Sequence, residues 1–235
     1  MKLLDIESLH ASGVVANNRM NRGRNCLGGN SYRKDLAFDC VEFMKARLRE
    51  NGRARWLDVG CGEGRALVEA AQILKDAEKR EALPADWRIT GLDLAGMFRE
   101  IPKDLENLRL VETAVEDFRE DGEFDLVTAV HSLHYVGDKL GAICALTRRL
   151  AQAGLFRANL ELQNLRLEGK PDAKRVFAAF LRKEGFVVDP RKHLIALDGP
   201  RNFEIPFEFL GADDRAGPNS TGQPVVDSYY RSAAV

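Results

Sequence analysis

Three glycines at alternate positions, Gly60, Gly62 and Gly64, separate an apolar run ending in Asp58–Val59 from a segment of helical periodicity. The stretch "ARWLDVGCGEGRALVEAAQ", residues 54–72, therefore reads as a buried strand, a sharp turn and a helix. Glycine concentrated at a strand-to-helix junction lets a ligand approach the backbone. A dinucleotide fingerprint, G-x-G-x-x-G, would need its third glycine at position 65, which is Arg65. The pattern here is D-x-G-x-G-x-G, so a pyrophosphate on the helix N-terminus is the weaker reading.

The rest of the chain repeats the strand–helix alternation. Strands are expected at 54–59, 87–94, 107–113, 123–130 and 155–162, and helices at 34–50, 64–82, 137–154 and 171–185. A short helix should follow 94 and stop near Pro102. Two extended runs, 186–197 (broken by Pro190) and 203–210, flank the turn "DGPRN" and read as a C-terminal hairpin closing one sheet edge. Residues 17–30 read as a basic loop, and 211–235 as a tail. Such alternation predicts an α/β fold with a mostly parallel sheet and helices on both faces.

At 235 residues the chain suits one domain, with 1–50 as a helical cap or lid. A formal net charge of −1 gives no general attraction to nucleic acid or to anionic membranes. The first residues lack the apolar core of a signal peptide, and no run is long enough to span a membrane, so a cytoplasmic location is expected. Cys26, Cys40, Cys61 and Cys144 are far apart and form no CxxC pair, which suits reduced, packed thiols; no metal site is expected.

"LDVGCGEG" resembles motif I of the class I S-adenosylmethionine-dependent methyltransferases. "ITGLDLAG" (89–96), "ETAVEDF" (112–118) and "FDLVTAVHSLHYVGD" (124–138) resemble the family's later motifs in the same order. The resemblance implies a Rossmann-like, seven-stranded, mostly parallel sheet with an antiparallel strand from the C-terminal hairpin. It implies S-adenosylmethionine as cofactor and S-adenosylhomocysteine as product. Asp58, Gly60, Cys61, Gly62 and Gly64 would form the turn for the methionine end, with Cys61 a small packed residue. Asp93 would hold both ribose hydroxyls, with Leu94 beside it. Asp93 follows Gly64 by 29 residues, and the insertion "KDAEKREALPAD" accounts for the length. Ala114, Val115, Glu116 and Val130 would lie near the adenine. At Ala114 the chain departs from the family, which often has an aspartate there for the adenine amine. Tyr32 and Arg33, near the start of the first long helix, are candidates for the methionine carboxylate, or for ordinary packing and a solvated charge.

Methyl transfer at a sulfonium requires alignment and desolvation, and an oxygen or protonated nitrogen acceptor must also lose a proton. His131 directly follows the fourth strand and is the first candidate base, with His134 one turn on. Both could instead only pack or shape the pocket. Arg19, Arg22 and Arg24 could meet an acidic acceptor or solvate their loop. Tyr229 and Tyr230 could cover the pocket or help form a homodimer. The expected acceptor is the oxygen or nitrogen of a small molecule or peptide, in keeping with specialised natural-product metabolism. The alternatives are a protein, tRNA or rRNA methyltransferase, and a non-catalytic cofactor-binding partner subunit. With no aromatics interleaved among its basic residues, the chain is a poor match for a nucleic-acid-stacking surface.

Overall fold

The structure is a computed structural model; it describes residues 3–16, 23–120, 122–219 and 222–233. Arg19 and Arg22 lie outside the described residues. In chain order the elements are α1 (Ile6–His10), α2 (Gly13–Ala16), α3 (Tyr32–Leu36), α4 (Cys40–Asn51), β1 (Arg53–Val59), α5 (Arg65–Arg80), β2 (Asp86–Asp93), β3 (Leu108–Glu112) and β4 (Phe124–Ala129). There follow α6 (Lys139–Thr147), β5 (Leu150–Asn159), β6 (Leu165–Leu167), α7 (Lys174–Lys183), β7 (Val187–Asp189), β8 (Leu194–Asp198), β9 (Phe207–Asp213) and β10 (Asp227–Ser232). Among the described residues no helix is long and apolar enough to cross a membrane.

Seven strands form one sheet in the order β3-β2-β1-β4-β5-β8-β7. The pairs from β3 through β5 are parallel, and β8 runs antiparallel to both of its neighbours. The expected α/β sheet is thus present. Its central strands are covered on both faces, which is why they read as mainly apolar runs: all six residues of β4 are buried, Asp125 and Thr128 included. One apolar layer includes Leu57, Val127, Phe156 and Phe177; the other includes Trp56, Leu67, Leu74 and Met44. Helix α5 buries Leu67, Ala70, Ala71, Leu74 and Ala77, at the spacing of a single helix face.

Several boundaries differ from expectation. The helix foreseen over 34–50 is two helices, because Ala37 turns left-handed (φ 49°) and the Asp39 side chain caps α4 by accepting from the Glu42 N–H. No helix follows β2: Gly96 is left-handed (φ 60°), and a Cβ there would meet the Glu112 carboxylate. Helix α6 ends at Thr147 rather than running to Gly154, and Gly154 belongs to β5. A Cβ on Gly154 would lie 2.7 Å from the Phe124 carbonyl, beside an irregularity in the β4–β5 register.

The hairpin also forms elsewhere. Pro190 sits in the turn between β7 and β8, so the antiparallel pair lies within 187–198. The run expected as its second arm becomes β9, which pairs with β10 out of the expected tail; β6 completes a separate three-stranded sheet. Leu4 bridges to Ala212 of β9, and Leu9, Val15, Ala212 and Val226 form a small apolar cluster. The first helices and the last strands thus pack together.

Candidate active site

The segments after the C-terminal ends of β1, β2, β3 and β4 converge on one cleft. Its walls include Gly60, Asp93, Leu94, Ala114, Val115 and Glu116, all singled out in the sequence, together with Thr113, Ser132, Tyr135, Val136 and, from the first two helices, His10 and Val15. An open α/β sheet offers its ligand site at this end.

Gly60 and Gly64 serve the protein's own packing as well. Gly60 has φ 69°, and a Cβ there would run into the side chain of Ser132 after β4. At Gly64 (φ 78°) it would run into Leu110 of β3. Gly62 is also left-handed (φ 61°), and its N–H donates to Asp93 Oδ2 at 2.9 Å. The other Asp93 oxygen accepts from the Ala95 N–H at 3.0 Å. These bonds tie the glycine turn to the end of β2. A carboxylate oxygen has more than one lone-pair direction, so this pair also suits two hydroxyl donors from the cleft.

Asp58 is fully buried behind the turn. Tyr32 donates its hydroxyl to Asp58 Oδ2 at 2.8 Å, and Thr128 donates to Oδ1. Thr128 in turn accepts from the Trp56 indole at 2.7 Å. Burial pushes the Asp58 carboxyl up to about 7, against the lowering effect of the two hydroxyls. Tyr32 packs edge-on to Trp56 in the core. Cys61 and Val130 are buried in that same apolar layer, and burial pushes the Cys61 thiol well above its usual range. Arg33 is exposed, with Nε 3.5 Å from Asp39 Oδ2. Tyr230 is a core residue packed edge-on to Phe177, and its hydroxyl donates to Asp138.

His131 has a left-handed backbone (φ 53°), an unusual conformation for a residue with a side chain. Asn159, the last residue of β5, supports it by accepting from the His131 N–H at 3.2 Å while donating to the Asp35 carbonyl. His131 Nε2 lies 3.5 Å from Asp35 Oδ2, and Arg24 Nε lies 2.6 Å from the same oxygen. Partial burial works to raise the Asp35 carboxyl, but His131 and Arg24 outweigh it and hold the group below its ordinary value. The rings of His131 and His134 are 5.6 Å apart. Burial, then the neighbouring His131, pulls His134 down to about 3, so it is neutral at physiological pH.

Sequence reasoning missed Asp35, Asn159, Ser132 and His10. Ser132 lies inside the stretch 124–138 and Asn159 near the end of the expected fifth strand, but neither residue type signals a role there. His10 had a faint signal: Asp5 caps α1 by accepting from the Ser8 N–H, and Ile6 and Leu9 are three apart.

No curated protein matches the sequence. Among solved structures, the N-methyltransferase NodS from Bradyrhizobium japonicum, in complex with S-adenosyl-L-homocysteine, is 15% identical, with 83% of this chain and 97% of that chain covered and a TM-score of 0.45. The plantazolicin methyltransferase BpumL is 16% identical over 55% of this chain and 48% of its own, with a TM-score of 0.41. CalS10, an amino pentose methyltransferase from Micromonospora echinaspora, is 25% identical over 56% and 51%, with a TM-score of 0.40. The match thus spans about half the length of the last two. Residues 30–190, well over half of the sequence, match the family model described as "Methyltransferase domain". They take in the glycine turn, Asp93 and His131 alike, and the chain belongs to that methyltransferase family.

Proposed function

We propose that this protein transfers a methyl group from S-adenosylmethionine to an oxygen or nitrogen of a small molecule or peptide, in specialised metabolism. The observation that carries the reading is the convergence of the Gly60 turn, the Asp93 carboxylate and the Ala114–Glu116 segment on one cleft. Two buried oxygens there, Ser132 Oγ and Glu116 Oε1, have no hydrogen-bond partner among the described residues, as expected of a site shaped for a polar ligand.

When bound, the cofactor supplies an electrophilic methyl group on a sulfonium sulfur. Asp93 would accept from the two ribose hydroxyls. The turn at 60–64 would receive the methionine end, and behind it Asp58 is held by the Tyr32 and Thr128 hydroxyls. Apolar Leu94, Val115 and Val136 exclude water from the base. On the acceptor side, as a bond to the methyl group forms and the sulfur–methyl bond breaks, His131 would take the acceptor's proton, and Asp35 would hold the resulting imidazolium. Asp35 is a positioning residue in this scheme, and neutral His134 shapes the pocket.

Calorimetric titration with S-adenosylmethionine, S-adenosylhomocysteine and NADH tests the reading. Micromolar binding of the first two alone supports it. Binding of NADH alone, or of none of the three, overturns it.

A further inference from the structure

The same end of the sheet carries a second cavity, for which the cofactor reading has no use. Residues 161–163 after β5, helix α7 and the turn between β7 and β8 line it. The first cleft is built instead by the segments that follow β1 to β4. His131 stands between the two. Its N–H is held by the Asn159 side chain at the end of β5, and Asn159 pairs with Leu194 of β8. The next residue, Leu160, donates its N–H to the His193 carbonyl at 2.8 Å, and His193 lines the second cavity.

The lining is basic and apolar. Lys174, Arg175, Arg182 and His193 contribute to it, and none of the four forms a salt bridge among the described residues. Arg182 is steadied by donating to the Val188 carbonyl at 3.2 Å, which leaves other N–H groups of its fork for a ligand. The one acid in the lining, Glu161, is 2% exposed, and its Oε2 accepts from Gln163 Nε2 at 2.6 Å. Leu162, Ala178 and Pro190 add apolar surface. In a chain with a formal net charge of −1 this is a local concentration of cations. Lys174 and Arg175 also stand in the first turn of α7, where the helix dipole disfavours positive charge; Asp172 offsets it by accepting from the Lys174 N–H at 3.4 Å. Residues that go against local preference are expected where function requires them.

We infer that this second cavity holds the methyl acceptor by an anionic group, a carboxylate or a phosphate, with the reactive oxygen or nitrogen turned towards His131. This rests on the methyltransferase reading above and narrows its acceptor to an anionic one. The planar forks of Arg175 and Arg182 suit the paired oxygens of either anion. The apolar wall packs the acceptor's body.

Histidines report on each site separately, since His10 lines the cofactor cleft and His193 the second cavity. The test follows the imidazole signals of the full chain by NMR. S-adenosylhomocysteine is added first and should move His10. Then come para-hydroxybenzoate, para-hydroxyphenyl phosphate or the uncharged para-hydroxybenzamide, each with a hydroxyl opposite the group that would be gripped. One of the two anions should move both His193 and His131 and bind at least about tenfold more tightly than the amide. The tighter anion identifies the group. Arg175→Gln combined with Arg182→Gln should weaken that anion about tenfold or more. Lys79→Gln combined with Lys103→Gln, which removes two exposed charges outside the cavity, should leave it within about twofold. Anions that bind no better than the amide, or bind the arginine variant as tightly as the unaltered chain, overturn the proposal. So does an anion that moves His193 and leaves His131 unmoved, because the cavity would then not present an acceptor to the base. In each of these cases the cofactor reading survives if S-adenosylhomocysteine moves His10. An anion response in a chain that does not bind S-adenosylhomocysteine overturns the methyltransferase reading, and the acceptor role with it. The comparison of the three probes on the unaltered chain stands even if a variant does not fold.

Discussion

Asp58→Asn removes an ionisable group from the centre of the molecule while nearly preserving its shape. The native carboxyl titrates at about 7 against a reference of 3.8, because burial penalises its charge more than the Tyr32 and Thr128 hydroxyls favour it. Between those values the folded chain holds a proton that the unfolded chain has released. The stability due to Asp58 is therefore fully present below the unfolded pKa and is lost as pH rises through the folded one. The slope is about 1.4 kcal/mol per pH unit, which amounts to about 4 kcal/mol over the whole window. The amide that replaces the carboxyl cannot titrate, so the stability difference between the two proteins isolates this group from every other carboxylate. Guanidinium unfolding of both, at intervals from about pH 5 to about pH 8, should show the unaltered chain losing about 3 kcal/mol relative to the variant. A difference that stays within about 0.5 kcal/mol across that range would refute the argument, and with it the view that Asp58 is desolvated behind the glycine turn.

Three further outcomes are expected. Asp93→Ala should weaken S-adenosylhomocysteine binding by about 2 kcal/mol, measured by calorimetry, with circular dichroism checking that the turn survives loss of the Gly62 and Ala95 bonds. Gly60→Ala should cost about 3 kcal/mol or more of unfolding free energy, since the new Cβ collides with Ser132. Gly169→Ala, left-handed at φ 72° but with open space around it, should cost only about 1 kcal/mol. Lys139 is fully buried and donates to the Val136 and Val226 carbonyls and to Ser228 Oγ, so Lys139→Met should lower stability by about 3 kcal/mol in the same unfolding assay.

What could be read from the sequence follows from how each part is stabilised. Strand β4 is buried along its whole length, and β1 and β2 are buried over their C-terminal halves, so those stretches report one environment. Helix α5 shows its buried face through residues such as Leu67, Ala70 and Leu74, at helical spacing. The glycine turn and Asp93 were readable because their conformational and charge requirements are local. The limits of α6 and β5 were not, since Gly154 is explained by the approach of the Phe124 carbonyl on another strand. Strand β10 was hidden because its pairing with β9 and β6 depends on residues up to about 60 positions away. On the site, His131 was visible as a residue type after a strand, but Asp35 and Asn159 reach it only through the fold. Asp58 and Tyr32 were legible as important positions, while their direct hydrogen bond within the core was not.

The packing of the first helices against the last strands also bears on the order in which the molecule assembles. Strands β1 to β5 can pair once residue 159 has left the ribosome, yet Leu4 has no bridge partner until Ala212 follows, and Val226 arrives later still. The sheet is built largely from neighbours in sequence, whereas the roof is closed by contacts spanning more than 200 residues. Long-range closure of this kind is slow compared with local pairing. A nascent chain would therefore pass through a stage with a formed sheet and an open cleft, its apolar lining exposed to other proteins. Cofactor present during synthesis would favour the roofed state by mass action, which links folding yield to cofactor supply.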